Sequence, residues 1–298
     1  MDTLRYLIDA ATSAILDSMI VLIPPTLAFA AISLAVKRRR AVADAFRASP
    51  EMGTNLVIHL FDALTIGPLL AFFVVWFHDF APNHGLQLVP ARAWDAIGLP
   101  FVVAFLAVFC GDFIGYWRHR LEHSWLLWPS HAVHHSDTEM TWTTLSRFHP
   151  INRVTTTVID GAFLTMLGFP PYAVVANALV RHYYGHFVHA DLPWTYGPLG
   201  RIFVSPAMHR WHHALDRQAF HTNYATVFSL FDVWFGTHRV PGPCDAPLGV
   251  TDTMAPGAFG QLTHPLKRSS YKRWKKRAPL RRAEARASAA PAAGVDAA

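Results

Sequence analysis

Long uncharged apolar runs alternate with short polar stretches over the first 180 residues. Met19 to Val36 is one such run, close to the minimum of about 17 residues for a membrane-spanning helix. Pro24-Pro25 near its start is expected to kink or delay that helix. Lys37-Arg38-Arg39-Arg40 follows directly. Basic residues collect on the cytoplasmic side of spans, so the amino terminus is expected outside and residues 37–55 in the cytoplasm. Asp2 precedes the first arginine and no small-residue cleavage site closes the run, which reads as a span rather than a secretory signal.

Leu56 to Phe77 is the next expected span, interrupted by His59, Asp62, Gly67 and Pro68. His59 and Asp62, three apart, share a helical face and read as a polar pair turned toward protein or headgroups. Residues 78–96 form a polar outer loop, and Ile97 to Tyr116 crosses back. Val154 to Val180 is apolar again but broken by Gly168-Phe169-Pro170-Pro171. Each piece is shorter than the roughly 17 residues a span needs. A re-entrant hairpin or two tilted short spans would return the chain to the same side. The pattern predicts an all-α integral membrane protein with about four spanning or re-entrant segments.

Apolar residues make up 52% of the 298 and charged residues 15%, against roughly 25% charged in an ordinary soluble domain. That excludes disorder, a fibrous repeat and a free cytosolic enzyme. Cys110 and Cys244 are the only cysteines, too few for a disulfide framework and without the CxxC of a zinc ribbon. The net charge of +6 belongs to the end of the chain, where residues 267–298 carry ten Lys/Arg against Glu284 and Asp296. This tail is expected to lie against anionic headgroups, at about 1 kcal/mol per charge, with no nucleic-acid partner. From about Ala283 its Ala, Pro and Gly content predicts disorder.

Twelve of the 18 histidines fall within residues 119–213. His119-Arg-Leu-Glu-His123 is HxxxH, and His131-Ala-Val-His134-His135 is HxxHH. His209-Arg-Trp-His212-His213 repeats the latter. On a helix, i, i+3 and i+4 share one face, so the imidazoles of each box can reach one metal. A single HxxxH arises in any histidine-rich helix, but three boxes beside apolar spans do not. Eight imidazoles packed as mere core would each need a hydrogen bond, and metal ligation satisfies them together. They exceed the ligand count of a single zinc site and suit two metals.

His182, His186 and His189, at i, i+4 and i+7, could add a ninth or tenth ligand. His149, in Arg147-Phe-His-Pro150, suits a place behind the ligands or at a helix end. Asp112 shares a face with Tyr116, His119 and His123, and could accept the second ring N–H of a ligating histidine. His78, His84, His221, His238 and His264 have no boxed partner.

The ordered set HxxxH, HxxHH, HxxHH resembles the sterol desaturase/fatty acid hydroxylase superfamily of integral-membrane di-iron enzymes. The likeness runs from about Phe101 to Arg239. It takes in Asp112–His123, Trp128–Ser136, Arg147-Phe-His-Pro150, Phe187-Val-His189, Ser205–His213, Asn223-Tyr224 and Phe235-Gly-Thr237. The resemblance implies a helical fold with a cytosolic histidine cap. It also implies two non-haem iron ions, O2 as co-substrate, a lipid substrate and an external electron donor of ferredoxin or cytochrome b5 type. No cytochrome b5-like domain is fused, so that donor is expected to be a separate protein.

On that pattern His119, His123, His131, His134, His135, His209, His212 and His213 are ligands. His189 completes the set in the bacterial sterol-desaturase-like branch, while a further HxxxH at His182 and His186 belongs to the fatty acid 2-hydroxylase branch. The narrow first box and Arg-Phe-His-Pro favour the former. The implied organisation is residues 1–96 as amino-terminal transmembrane helices, 97–245 as the catalytic domain and 246–298 as the basic tail. The competing reading is a zinc-dependent membrane hydrolase. It requires an acidic general base, for which Glu122 and Glu139 stand near but no HExxH exists. A metal-storing membrane protein without turnover is the non-enzymatic alternative.

Overall fold

The computed structural model describes residues 2–271, and its regular structure is helical. In chain order the helices are α1 (Asp2–Lys37), α2 (Arg40–Leu64), α3 (Ile66–Asn83), α4 (Ala91–Asp95) and α5 (Pro100–Glu122). Then come α6 (Trp128–His135), α7 (Pro150–Thr155), α8 (Gly161–Met166), α9 (Pro171–His189), α10 (Pro206–His212), α11 (Leu230–Trp234) and α12 (Gly257–Leu262). No β-strand forms among the described residues; an isolated antiparallel bridge joins Ala214 to Leu248. The basic, Ala-rich segment beyond Tyr271 lies outside the described residues.

Two helices, Ile15–Lys37 and Pro100–Glu122, are long and apolar enough to cross a membrane. The α2–α3 pair makes a third if counted as one bent span. Exposed Leu16, Ile20, Ile23 and Leu27 on α1, Leu69, Phe72 and Val75 on α3, and Phe101 and Phe105 on α5 form an apolar exterior suited to acyl chains.

Pro24-Pro25 does not delay α1, which stays helical through both prolines to Lys37. Away from water a broken helix would strand further backbone groups, and the Thr26 hydroxyl donates to Leu22 O at 2.6 Å just past the prolines. The single span expected over Leu56–Phe77 is instead the end of α2 and most of α3, bent by 49°. Pro68 is the cause, because its ring would clash with the carbonyl four residues back, at Leu64, in a continuous helix. Much of the stretch expected as a cytoplasmic link, 37–55, is the first half of α2.

The break at 168–171 falls where the sequence puts it. Gly168 has φ +67°, and a Cβ there would meet Val89 O at 2.1 Å, so the turn and the backbone against it both require glycine. Pro171 then opens α9, where its missing N–H costs nothing.

α5 and α9 pack along each other through a small-residue seam. A Cβ on Gly111 would lie 2.2 Å from Asn177 Oδ1, and one on Gly115 2.0 Å from Arg181 Nη2. The two glycines, four apart on α5, admit Asn177 and Arg181, four apart on α9, in the manner of small-xxx-small contacts. Above this seam Val108, Tyr116, Val188, Met208, Tyr224 and Phe231 form a buried cluster. It ties the ends of α5 and α9 to α10 and the loop beyond it.

Candidate metal centre

Four helix ends converge above the α5–α9 seam. α5 brings His119 and His123, with His123 its terminal cap. α6 opens with Pro129 in its first turn and carries His131, His134 and His135. α9 ends on His189. α10 starts at Ser205, whose Oγ accepts from Met208 N at 3.1 Å, and carries His209 and His212, with His213 at its end. Arg147, fully buried, fastens the end of α6 to α2. It donates to Ser136 Oγ at 3.2 Å and Asn55 Oδ1 at 2.6 Å and pairs with Glu51.

The nine histidines sort into two buried groups. His119, His123, His131, His135 and His212 form the first; His134, His189, His209 and His213 form the second. In each, one ligand atom per residue lies within 4.8 Å of all the others. The split follows the HxxHH spacing. In α6 the i and i+4 rings, His131 and His135, join the first group and His134 the second. In α10 the i and i+4 rings, His209 and His213, join the second and His212 the first.

The ring nitrogens fit bound cations. His119 Nδ1 lies 2.7 Å from Tyr224 O and His212 Nδ1 2.7 Å from Thr222 O, so each Nδ1–H donates and each Nε2 carries a lone pair. Those two Nε2 atoms face each other at 3.0 Å, a contact neither can close as a hydrogen bond. The Nε2–Nε2 spacings His119–His131, 3.0 Å, His189–His134, 3.1 Å, and His209–His189, 2.9 Å, are equally short. With metal–nitrogen bonds of about 2.0–2.1 Å, neighbouring ligands at 90–110° stand about 2.9–3.4 Å apart. Burial, with neighbouring rings, holds His131, His134, His135, His209 and His213 well below the ordinary imidazole range. His212 is lowered to about 4 by burial, against the opposing pull of its carbonyl partner. At neutral pH these rings are uncharged, as ligation requires.

The carbonyls that aim His119 and His212 come from one strained turn. His221 and Asn223 have φ of 61° and 62°, a region Asn tolerates better than most. Asn223 Nδ2 donates to Met208 O at 3.0 Å and Arg239 O at 2.7 Å, and its Oδ1 accepts from Arg239 N at 2.8 Å. Asp232 accepts from Tyr224 N at 2.7 Å, Ala225 N at 2.9 Å and Thr237 Oγ1 at 2.7 Å. Burial pushes its carboxyl up to about 6.

Asp112 belongs to the same support. It accepts the backbone N–H groups of Thr226, Val227 and Phe228 at 3.2, 3.0 and 2.8 Å, not a histidine N–H as expected. Three amides pointing at one carboxylate satisfy it more fully than one ring nitrogen. The carboxylate beside a grouped histidine is Glu122, whose Oε2 lies 3.5 Å from His131 Nδ1.

His149 takes the helix-end place, capping α7 through Ile151 N at 3.1 Å, with Nε2 3.0 Å from Leu262 O. His186 stands outside both groups, with Nδ1 2.8 Å from Trp142 O and its ring against His182 at 4.6 Å. Asp62 pairs with Arg153 at 3.0 Å.

One pocket opens onto the histidines, and a larger cavity lies beside α1 without a histidine in its lining. The pocket, beside the first group, is lined by His123, His135 and His212 together with Trp128 and Phe220. The cavity, of about 580 Å³, lies between α1, α2 and the loops after α6 and α9. Phe29, Leu34, Met140 and Trp142 line its apolar side, and Lys37, Arg47, Asp44, Glu139, Asp191 and Arg210 its charged rim.

An all-helical protein with two interleaved, all-histidine groups at the ends of apolar helices defines a class of membrane metal centre. Residues 104–237 match the fatty acid hydroxylase family. An ornithine lipid hydroxylase of Rhizobium tropici is 33% identical over 169 residues, 56% of this chain and 51% of the relative. The human alkylglycerol monooxygenase is 30% identical over 170 residues, 57% of this chain and 35% of the relative. A very-long-chain aldehyde decarbonylase of rice is 27% identical over 170 residues, 51% and 25% of the two chains. The chain spans about half the length of the first of these relatives and less of the others. No solved structure matches it. Through residues 104–237 the chain is similar to the fatty acid hydroxylase family and to lipid-oxidising relatives.

Proposed function

We propose that the protein is a membrane-bound non-haem di-iron oxygenase that hydroxylates or desaturates a lipid, using O2 and electrons from a separate ferredoxin- or cytochrome b5-like donor. The observation that carries the reading is the pair of buried imidazole groups whose Nε2 lone pairs face one another. His119, His123, His131, His135 and His212 would hold one iron, and His134, His189, His209 and His213 the other. Iron bound there supplies the reduction of O2 and the oxidation of an unactivated C–H bond.

The chain's own residues supply aim and dryness. The turn at Thr222 and Tyr224 fixes ring orientation, and burial keeps the nitrogens free of protons. The cavity beside α1 offers apolar walls for an acyl or alkyl chain and a rim of both charges for a polar head. The relatives named for ornithine lipid and alkylglycerol act on amphiphiles of that kind. Hydroxylation consumes one O2, two electrons and two protons for each hydroxyl formed, releasing one water. Desaturation uses the same reductant and releases two waters.

The histidine side is read as cytoplasmic. Lys37, at the basic end of α1, pairs with Asp191, two residues past His189, and Asp191 also binds Arg210 at 3.0 Å. These contacts put the centre near the basic end of α1, which supports the cytoplasmic reading. The two acids that the zinc-hydrolase reading would call on are both engaged. Glu122 is held by Arg118 and Thr155, and Glu139 by Arg47.

The test is oxygen uptake by purified full-length protein reloaded with iron or zinc, given a lipid extract and a chemical reductant. The expected result is iron-dependent uptake, with a lipid product gaining one oxygen or losing two hydrogens by mass spectrometry. His134→Ala should abolish it. Lipid turnover that persists without oxygen, with zinc as the supporting metal, would overturn the assignment.

A further inference from the structure

A line of buried charges leaves the first histidine group and descends beside the α5–α9 seam. Glu122, fully buried, accepts from Arg118 Nη1 at 2.8 Å on one oxygen and from Thr155 Oγ1 at 2.5 Å on the other. Arg118 Nε donates to Asp160 Oδ1 at 2.9 Å, and Asp160 Oδ2 accepts from Arg181 Nη1 at 2.7 Å. Arg181 Nε reaches toward Asp112 Oδ1 at 3.5 Å. Asp160 closes a π-helical turn, Thr156–Asp160, an irregularity that re-aims a side chain within an otherwise α-helical run. It serves both arginines.

The two histidine groups are not equally supported from behind. In the first, carbonyls hold the Nδ1 atoms of His119 and His212, and that of His131 lies between Glu122 Oε2 at 3.5 Å and Asn152 Nδ2 at 3.4 Å. In the second, His189 Nδ1 meets Gly185 O at 2.6 Å, but His209 Nδ1 and His213 Nδ1 are buried without a hydrogen-bond partner. Among the described residues no carboxylate lies within ion-pair distance of a second-group ring. A ring nitrogen facing a carboxylate is fixed in tautomer and is the stronger donor to a metal through its other nitrogen.

We propose that Glu122, locked by Arg118 and Thr155, is a positioning residue for His131 and makes the two groups unequal sites, the first binding its ion more tightly. This rests on the two-metal reading above. The Arg118–Asp160–Arg181 line keeps Glu122 from turning away and neutralises it without exposing it to water.

The test is titration of metal-free, full-length protein in detergent with Co2+, followed by visible absorption and by calorimetry. Two equivalents should bind in two resolved steps. Glu122→Gln should weaken the tighter step about 10- to 100-fold and leave the weaker one in place. Thr155→Val, which removes one hydrogen bond to Glu122, should weaken the same step less, and it decides the matter alone if Glu122→Gln does not fold. Equal weakening of both steps, or two unchanged steps in folded variants, overturns the proposal. So does a wild type whose two ions bind with one affinity. A wild type that binds no cobalt overturns the two-metal reading itself, and this inference with it.

Discussion

Gly115→Ala tests the packing that brings the two histidine-bearing helices together. The added methyl would lie 2.0 Å from Arg181 Nη2 and 2.8 Å from Cζ, so the guanidinium must leave. It is the mobile end of a long side chain, and the clash itself is relieved cheaply. The loss is the ion pair to Asp160 at 2.7 Å and the approach to Asp112 at 3.5 Å. Breaking a buried pair costs about 3–5 kcal/mol. Arg181 keeps 12% of its side-chain surface exposed, and a helical Gly→Ala change returns about 1 kcal/mol, so a net loss of about 3 kcal/mol is expected. At about 2–4 °C per kcal/mol for a chain of this size, thermal unfolding in detergent should shift down by about 6–12 °C. The decisive comparison is the same substitution in an Arg181→Ala background. There no other atom lies within 3.3 Å of the methyl, and Gly115→Ala should be neutral or slightly stabilising, a large departure from additivity. Equal losses in the two backgrounds would refute the assignment of Gly115 to the passage of Arg181.

Two further outcomes follow from the centre. His131, His134, His135, His209, His212 and His213 are all harder to protonate folded than unfolded. Below the ordinary imidazole value of about 6.5 the unfolded chain binds more protons, so stability falls as pH falls. Asp232, raised to about 6, runs the other way but is outnumbered by the six rings. Metal-free protein should therefore denature at lower denaturant concentration at pH 5.5 than at pH 7.5, and a flat profile would contradict the buried, neutral cluster. Asn223→Ala removes three hydrogen bonds and puts alanine at positive φ, for a loss of about 2–4 kcal/mol. Because Thr222 and Tyr224 carry the carbonyls for His212 and His119, cobalt affinity at the first group should fall with it. Unchanged cobalt binding would show that the turn does not aim the rings.

The boxes were legible because helical spacing is a property of sequence: i, i+3 and i+4 share a face wherever the helix goes. What spacing could not reveal is that the shared face points between two histidine groups, so that His134 parts from His131 and His135. Asp112 was conspicuous as an acid in an apolar run, which announces an obligatory partner without saying which. Its partners are the amides of Thr226, Val227 and Phe228, and backbone amides leave no mark in the residue types that supply them. The same holds for the carbonyls of Thr222 and Tyr224. Glu122 was noted as a possible base, but its lock depends on Thr155 and Arg118 meeting across a fold. The bend at Thr65 had its signal in Gly67-Pro68, where the sequence pattern alone read one interrupted span.

The division of ligands between helices separates two tasks. α6 and α10 each contribute to both groups, two rings to one and one to the other, so neither group forms unless both short helices are seated. Metal binding at either site is then coupled to closure of the whole cap, since the free energy of ligation is also free energy of folding. α5 and α9 behave differently: His119 and His123 serve only the first group and His189 only the second. The place where α5 meets α9 is thus one of the contacts that space the two groups, beside α6 and α10 themselves. That contact depends on Gly111 and Gly115 admitting Asn177 and Arg181, so a pair of glycines in an apolar helix bears on how the two histidine groups are spaced.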